Sequence, residues 1–297
     1  MTLLTELLHR IPQIAYAENE PLSAHTSFRI GGAAALMLFP QDLKELAHTL
    51  TACSDCGVSP RLLGAGTNVL APDAGVDTAV ICTKDALCGL ELHGSTVSAM
   101  AGESLAKTAV FARDHGLSGL EFAHGIPGTV GGGVYMNAGA YDGCLADVCT
   151  GVAVMLPDGT LREYHGKELF SYRSSIFQSM DCVIVRAEFA LTSAPQEKIR
   201  GRMQELMERR RASQPLELPS AGSTFKRPKG NFAGTLIQQA GLKGKRIGGA
   251  CVSEKHAGFI VNTGGATAAD VKTLIKEVQN QVLEFSGVLL EPEIRIW

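Results

Sequence analysis

The sequence predicts an α+β fold in two domains, and three observations support this. The chain has 297 residues, more than one ordinary core needs. Strand and helix patterns follow one another from residue 33 to the C-terminus. Pro195 separates a strand-rich region from a helix-rich one. We therefore expect a first domain of residues 1–195, with lobes of about 1–84 and 85–195, and a second domain of residues 196–297.

In the first lobe, the apolar run of residues 33–39 predicts a strand that Pro40 ends. Apolar residues at helical spacing behind Asp42 predict a helix, and residues 61–63 predict a second strand. In the second lobe a helix is expected to begin near Glu103 and to end at Gly116. The strands expected there are residues 79–83, 88–93, 96–101, 152–156, 160–164 and 182–191.

In the second domain, helical spacing predicts helices through Ile199 to Leu206, over residues 232–241 and over residues 271–285. Residues 258–261 and 288–296 are the expected strands. The last strand would place Glu291, Glu293 and Arg295 on one face, which is usually a solvated arrangement.

Composition and charge exclude several classes of protein. The net charge of −3 lacks the basic excess of nucleic-acid-binding surfaces, and no apolar run is long enough for membrane insertion. The opening MTLLTELLHR lacks the pattern of a signal peptide, so a cytoplasmic protein is expected, with a monomer favoured. The eight cysteines are then expected to be free thiols. Cys53 and Cys56 have CxxC spacing but no second ligand pair, which disfavours a metal or redox site.

Residues 64–70, GAGTNVL, follow a predicted strand. Two glycines permit a sharp turn that presents backbone N–H groups, and Thr67 and Asn68 add donors, so this loop could hold a phosphate. It is not a GxGxxG fingerprint, because Val69 stands at the third glycine position. A purely structural turn is the alternative.

Residues 121–141 contain six glycines, too many for an ordinary helix or strand. We expect main chain that lies against a flat or anionic ligand. The interleaved apolar residues, such as Ile126 and Val130, favour a packed segment over a flexible loop.

Three further groups carry possible chemistry. In residues 219–226, PSAGSTFK, the hydroxyl of Ser223 lies between Gly222 and the cation of Lys226 and could deliver a proton, with a simple turn as the alternative. Arg173 stands among apolar residues, where a guanidinium is either paired or binds an anion. The basic run of residues 209–211 is expected to face water, with phosphate contact as the alternative.

Together, these segments resemble the UDP-N-acetylenolpyruvoylglucosamine reductase family. The resemblance runs from about Thr26 to the C-terminus and rests on the order of GAGTNVL, GIPGTVGGGVYMNAGAYDG, YRSSIF, PSAGSTFK, AGLKGKRIGGACVSEKHAGFIVN and LEPEIRIW. It implies a two-lobed FAD-binding domain of the vanillyl-alcohol-oxidase (PCMH) type, followed by an α+β substrate-binding domain.

The resemblance implies an NADPH-dependent, FAD-containing oxidoreductase of peptidoglycan precursor synthesis. Its substrate would be UDP-N-acetylglucosamine enolpyruvate and its product UDP-N-acetylmuramate. Hydride from N5 of reduced FAD would reach the enolpyruvyl methylene, and a proton would reach C2.

The resemblance also implies roles for single residues. The catalytic residues would be Arg173, Ser223 and Glu293, with Ser223 as the proton donor. The cofactor-binding residues would be Gly64, Ala65, Gly66, Thr67, Asn68, Val69, Leu70, Gly125, Ile126, Pro127, Gly128, Thr129, Gly132, Asn137 and Ala138. The substrate-binding residues would be Lys226, Arg227, Asn262 and Arg295, and no metal is expected.

Two departures from the family pattern matter. The 50 positions between Arg173 and Ser223 are too few for the extra tyrosine loop of some members, so another element must cover the UDP. Arg227 stands where many members have asparagine, and it could pair with the substrate diphosphate. Two alternative functions are a related flavin oxidase that passes electrons to oxygen and a nucleotide-sugar-binding module without catalysis.

Overall fold

The structure is a computed structural model that describes residues 3–297. Met1 and Thr2, with which the predicted first domain begins, lie outside the described residues. The chain forms two compact units that are interleaved in sequence. The first unit comprises residues 3–19, Ala35–Ala65 and Asp77–Arg209, and the second comprises Glu20–Ala34, Gly66–Val76 and Arg210–Trp297. The predicted domain boundary after residue 195 stays a prediction.

Within residues 3–297 the structure contains seven α-helices, numbered here in chain order. They are Leu3–Arg10 (α1), Leu43–Asp55 (α2), Leu105–Asp114 (α3), Val130–Met136 (α4), Gln196–Ser213 (α5), Ala233–Gln239 (α6) and Ala268–Ser286 (α7). Short 3-10 turns cover Leu22–Ala24, Glu121–Ala123, Leu145–Asp147, Lys167–Leu169 and Ile176–Gln178.

The two larger sheets are formed by strands between residues 15 and 190. A four-stranded sheet has the order Ala15–Pro21, Ala33–Phe39, Val76–Cys82, Arg61–Leu63, and its last two strands are parallel. A five-stranded antiparallel sheet has the order Leu161–His165, Cys149–Met155, Val183–Ala190, Thr96–Met100, Leu90–His93.

The remaining strands are short. A three-stranded antiparallel sheet has the order Arg246–Ile247, Ala250–Val252, Ile260–Asn262. Two-stranded pairs join Gly139–Ala140 to Gly143–Cys144, Phe170–Ser171 to Ser174–Ser175, Leu117–Ser118 to Thr192–Ser193, and Val69–Leu70 to Arg295–Ile296. The last of these pairs is parallel.

Each unit has its own apolar core. In the first unit, one cluster packs α3 and α4 on the five-stranded sheet, and a second packs α2 on the four-stranded sheet. In the second unit, the apolar stripe of α7 buries Val271, Leu274 and Val278 together with Ile237 of α6 and Ile260. Burial of each such side chain stabilises the fold by roughly 1.5–3 kcal/mol relative to exposure.

The glycine-rich segment corrects one expectation, because residues 130–136 form the helix α4. Helical glycine costs about 1 kcal/mol per residue relative to alanine, but packing requires it here. A Cβ atom at Gly131 would lie 2.9 Å from Cβ of Ala101, and one at Gly133 would lie 3.0 Å from Cδ1 of Leu105. The glycines give α4 a low helix propensity but allow this close approach. Hydrogen bonds at both ends of the helix, described below, stabilise it.

The predicted strand of residues 288–296 is wrong in extent. Only Arg295–Ile296 is a strand, and before it Pro292 forms an isolated bridge to Phe225. Proline has no N–H to donate to a ladder, which limits regular pairing. Like α4 and several of the short strands, α1 and the strand Ala15–Pro21 have no counterpart among the predicted elements.

Among residues 3–297, no helix combines the length and apolarity needed to cross a bilayer. All eight cysteines lie in this range and are free thiols. Burial, with a smaller effect of Cys56, raises the pKa of Cys53 to about 12, so this member of the CxxC pair stays a protonated thiol.

Candidate functional site

The first part of the candidate site joins Gly64 to the glycine-rich segment. Oγ1 of Thr129 lies 2.6 Å from the position that a Cβ atom would take at Gly64, so only glycine fits there. The same oxygen accepts a hydrogen bond from the N–H of Gly132 at 3.3 Å and caps α4. Thr129 is 3% exposed. The structure therefore brings these predicted cofactor-binding residues together within the first unit.

Asn137 connects the other end of α4 to the hairpin that carries Arg173. It ends the helix in the left-handed conformation, with φ of 44°. Its Nδ2 donates to the carbonyl of Ser171 at 2.9 Å, and its Oδ1 accepts from the N–H of Ala146 at 3.0 Å. This buried side chain has a structural role that its sequence position alone did not indicate, and its predicted contact with a cofactor stays a prediction.

Arg173 occupies the turn of the hairpin formed by Phe170–Ser171 and Ser174–Ser175. Its φ of 54° is left-handed, which costs a non-glycine residue about 1–2 kcal/mol. Such strain is often found where a side chain is held for function. Nη1 lies 3.2 Å from the position of a Cβ atom at Gly139, so the missing side chain of Gly139 makes room for the guanidinium.

Gln178, which the motif analysis did not select, fastens this hairpin to α4. Its Nε2 donates to the carbonyl of Tyr135 at 2.8 Å and to the carbonyl of Arg173 at 3.4 Å. Oγ of Ser175 donates to the same Tyr135 carbonyl at 2.9 Å. In the sequence, only the position of Gln178 directly after the YRSSIF motif could have indicated this role.

The second unit contains the rest of the GAGTNVL loop. Gly66 has φ of 61°, and a Cβ atom there would lie 2.1 Å from the carbonyl oxygen of His25. Nδ2 of Asn68 donates to the carbonyl of Glu293 at 3.3 Å, and the Asn68 carbonyl accepts from the N–H of Arg295 at 2.8 Å. The parallel pairing of Val69–Leu70 with Arg295–Ile296 continues this contact. The loop is thus tied to the segment that carries Glu293.

The turn that carries Ser223 is anchored through its neighbour, Thr224, which is 1% exposed. The N–H of Thr224 donates to the carbonyl of Gly258 at 2.8 Å, and its carbonyl accepts from the N–H of Glu293 at 2.8 Å. Its Oγ1 accepts from the N–H of Ile260 at 3.0 Å. Ser223 therefore stands on a fixed backbone beside Glu293, although sequence spacing alone could not pair residues so far apart.

The four predicted substrate-binding residues also lie in the second unit. Nζ of Lys226 forms an ion pair with Glu291, and the guanidinium of Arg227 lies 3.9 Å from the ring centroid of Phe232. Asn262 is 7% exposed; its Nδ2 donates to the carbonyl of Phe28 at 3.1 Å, and its Oδ1 accepts from the N–H of Gly264 at 2.9 Å. These bonds give Asn262 a structural role, and substrate contact by the four residues stays a prediction.

Ser223 and Glu293 are therefore joined within the second unit, while Arg173 belongs to the first unit. The meeting of all three around one carbon atom stays a prediction.

The residues of the first unit fit a flat, anionic cofactor. Residue 64 must be glycine, because a side chain there would clash with Thr129. At Gly132 a Cβ atom would meet nothing closer than 3.4 Å, so the backbone of Gly132 is accessible. His124 precedes Gly125, and its Nδ1 is buried without a hydrogen-bond partner among the described residues. Burial and the charge of Arg113 lower the pKa of His124, which keeps the imidazole ring neutral. A bound polar ligand could satisfy this atom.

Comparison with known proteins identifies both parts of the chain. Residues 34–164 match the family model of an FAD binding domain, and residues 214–297 match that of the C-terminal domain of UDP-N-acetylenolpyruvoylglucosamine reductase. The reductase of Syntrophomonas wolfei is 43% identical over 293 residues, which cover 98% of each chain. That of Caldicellulosiruptor bescii is 46% identical over 285 residues, which cover 95% of this chain and 90% of the relative.

The crystal structure of the reductase from Thermus caldophilus has a TM-score of 0.79 and 35% sequence identity, and the match covers 96% of this chain and 99% of that one. These matches confirm the predicted fold class in its main features, an FAD-binding domain followed by a second α+β domain. The chain belongs to the UDP-N-acetylenolpyruvoylglucosamine reductase family.

Proposed function

We propose that this chain is an NADPH-dependent FAD enzyme that reduces UDP-N-acetylenolpyruvoylglucosamine during peptidoglycan precursor synthesis, with Ser223 as the proton donor. Family membership over nearly the whole chain supports the reaction. The eight free thiols fit our further proposal that the protein works in the reducing cytoplasm.

Bound FAD would carry hydride from NADPH to the methylene carbon of the enolpyruvyl group. Gly64, Thr129 and Gly132 are the first-unit residues that would hold it. The side chain of Thr129 packs against the backbone of Gly64, and a Cβ atom at Gly132 would meet nothing closer than 3.4 Å. In the second unit, Gly66 and Asn68 belong to the same predicted loop.

Addition of hydride to the methylene leaves negative charge at C2 and its carboxylate, and the remaining task is protonation of C2. The Oγ–H bond of Ser223 would break as the C2–H bond forms. The observation that carries this role is that the Ser223 hydroxyl has no hydrogen-bond partner among residues 3–297, while Thr224 holds its backbone in place. An unpaired hydroxyl on a fixed segment is free to turn to a ligand, and positioning of this kind lowers barriers.

Arg173 and Glu293 would act on the same charge. The guanidinium of Arg173, held next to Gly139, would attract the substrate carboxylate. Glu293 would orient the groups around Ser223, because its backbone N–H is bonded to the carbonyl of Thr224.

The test is to measure the two half-reactions separately under anaerobic conditions in Ser223→Ala. We expect flavin reduction by NADPH to keep its normal rate. Reoxidation by the enolpyruvyl sugar nucleotide should slow by about 10²–10⁴-fold, the usual worth of a positioned acid. Ser220→Ala, a serine of the same turn, is the matched control and should change neither rate.

Equal loss in both half-reactions of Ser223→Ala would contradict the proton-donor role. The same measurements separate the reductase from the alternative functions. Rapid reoxidation by air would indicate a flavin oxidase, and protein purified without flavin absorbance would indicate a binding module.

A further inference from the structure

Gln178 joins the turn that carries Arg173 to the end of α4, and all of these residues belong to the first unit. Its Nε2 donates to the carbonyl of Tyr135 at 2.8 Å and, over a longer distance of 3.4 Å, to the carbonyl of Arg173. The sulfur of Met136 lies 3.6 Å from the same nitrogen. The opposite orientation of the amide would set its oxygen against two carbonyl oxygens, so this place requires a donor.

The carbonyl of Tyr135 lies in the last turn of α4, where a helix leaves its carbonyl groups without partners of its own. Here the partners come from the segment that follows Arg173. They are Nε2 of Gln178 and the hydroxyl of Ser175, which donates at 2.9 Å. The end of the cofactor-side helix and the Arg173 hairpin are therefore joined by side-chain donors of the hairpin segment.

The turn needs this support because its backbone conformation is unfavourable. Arg173 has φ of 54° in a two-residue turn, a conformation that glycine or asparagine ordinarily takes. Two amide side chains bond to the backbone at this turn. Asn137 donates to the carbonyl of Ser171 just before the turn, and Gln178 donates to the carbonyl of Arg173 within it.

Gln178 itself stands on a fixed segment. It is the last residue of the 3-10 turn Ile176–Gln178, and the neighbouring Phe177 is 2% exposed. The ring of Phe177 packs edge-to-face on that of Tyr164, with ring centroids 5.8 Å apart. A donor next to such an anchor can restrain the backbone that it contacts.

We infer that Gln178 is a positioning residue for Arg173. It holds the left-handed turn against the end of α4, so that the guanidinium stays beside Gly139, from where it would attract the substrate carboxylate. This inference rests on the function proposed above. Because α4 begins at the Thr129 cap and contains Gly132, Gln178 ties the guanidinium to the helix proposed to hold FAD. The amide of Gln178 keeps its protons throughout the reaction.

The first experiment measures the two anaerobic half-reactions in the holoenzyme of Gln178→Met, which keeps the length of the side chain and removes the donor. We expect reoxidation by the enolpyruvyl sugar nucleotide to slow by about 5- to 30-fold, the equivalent of about 1–2 kcal/mol. Flavin reduction by NADPH and flavin content should not change.

Gln196→Met is the matched control. Nε2 of Gln196 also donates to a backbone carbonyl of the first unit, that of Asp114 at 2.7 Å, and this bond does not involve the Arg173 hairpin. The control should change neither rate. Slower flavin reduction or lower flavin content in Gln178→Met would overturn the inference in favour of a general packing role.

The second experiment asks whether Gln178 acts through Arg173. In the Arg173→Ala background no guanidinium remains to be positioned, so Gln178→Met should add less than half of its single effect on a logarithmic scale. A larger added effect would overturn the inference. If Gln178→Met shows no cooperative thermal unfolding, Gln178→Glu, which keeps the shape and also removes the N–H donors, takes its place with the same expected results. Failure of both variants to fold would likewise overturn the inference.

The two proposals fail differently. If Arg173→Ala leaves reoxidation unchanged, the role of Arg173 in the proposed function is wrong. If Arg173→Ala slows reoxidation but Gln178→Met does not, only the role of Gln178 is wrong.

Discussion

Gly66 in the GAGTNVL loop and Gly222 in the PSAGSTFK turn have similar backbone conformations, but Gly66 is closely packed and Gly222 is not. Both are left-handed, with φ of 61° and 77°. A Cβ atom at Gly66 would lie 2.1 Å from a carbonyl oxygen, whereas one at Gly222 would meet nothing within 4 Å. The predicted cofactor loop needs glycine for space and conformation, and the serine turn needs it for conformation alone. Rigidity in the first region comes from packing, and in the second from the hydrogen bonds of Thr224.

The largest effect is expected for Gly66→Ala. The added methyl group meets the carbonyl of His25, so the loop must move, at a cost of at least about 2 kcal/mol in the free energy of unfolding. The purified protein should also lose most of its flavin, which visible absorbance and thermal denaturation can measure.

Gly57→Ala is the control for this variant. Gly57 has φ of 65° but nothing within 4 Å of its Cβ position, so it isolates the conformational cost. If the two variants are equally stable and both retain flavin, the loop is not constrained by packing and the comparison fails.

An intermediate effect is expected for Thr129→Val. Valine has nearly the same shape but cannot accept the N–H of Gly132, and loss of such a cap costs about 1 kcal/mol. Because Oγ1 also lies beside Gly64, the dissociation constant for FAD should rise as well, as titration of the apoprotein with FAD would show.

Thr267→Val provides the matched control for the cap. Thr267 caps α7 by accepting from the N–H of Asp270 at 3.0 Å, in the second unit. The Thr267→Val variant should lose about as much free energy of unfolding as Thr129→Val, and its affinity for FAD should not change. Equal weakening of FAD binding in both variants would indicate a general loss of stability instead of a local role for Thr129.

The smallest effect is expected for Gly222→Ala. With open space around it, this substitution costs only the left-handed conformation, about 1 kcal/mol in the free energy of unfolding by chemical denaturation. Flavin content should stay normal. A loss of stability as large as that of Gly66→Ala would show that the serine turn is packed as tightly as the cofactor loop.

The elements with strong periodicity were predictable from the sequence. The stripe of α7 and the helix α2 behind Asp42 follow directly from apolar spacing and a capping residue, and both are observed. The strand Ala15–Pro21 was not predictable, because its residues AYAENEP are mostly exposed and carry no alternating pattern. The helix α4 was not predictable either, because glycine has a low helix propensity and only contacts with distant residues such as Ala101 make it necessary.

The sequence by itself determined the family, because motifs in a fixed order can be read without coordinates, and it nominated Arg173, Ser223 and Glu293. Only the tertiary structure decided that Thr224 joins Ser223 to Glu293 and that the side chain of Thr129 packs against Gly64. These contacts link residues that are separated along the chain. They depend on backbone hydrogen bonds between distant segments and on which side chain packs against each glycine, and neither can be read from the local sequence.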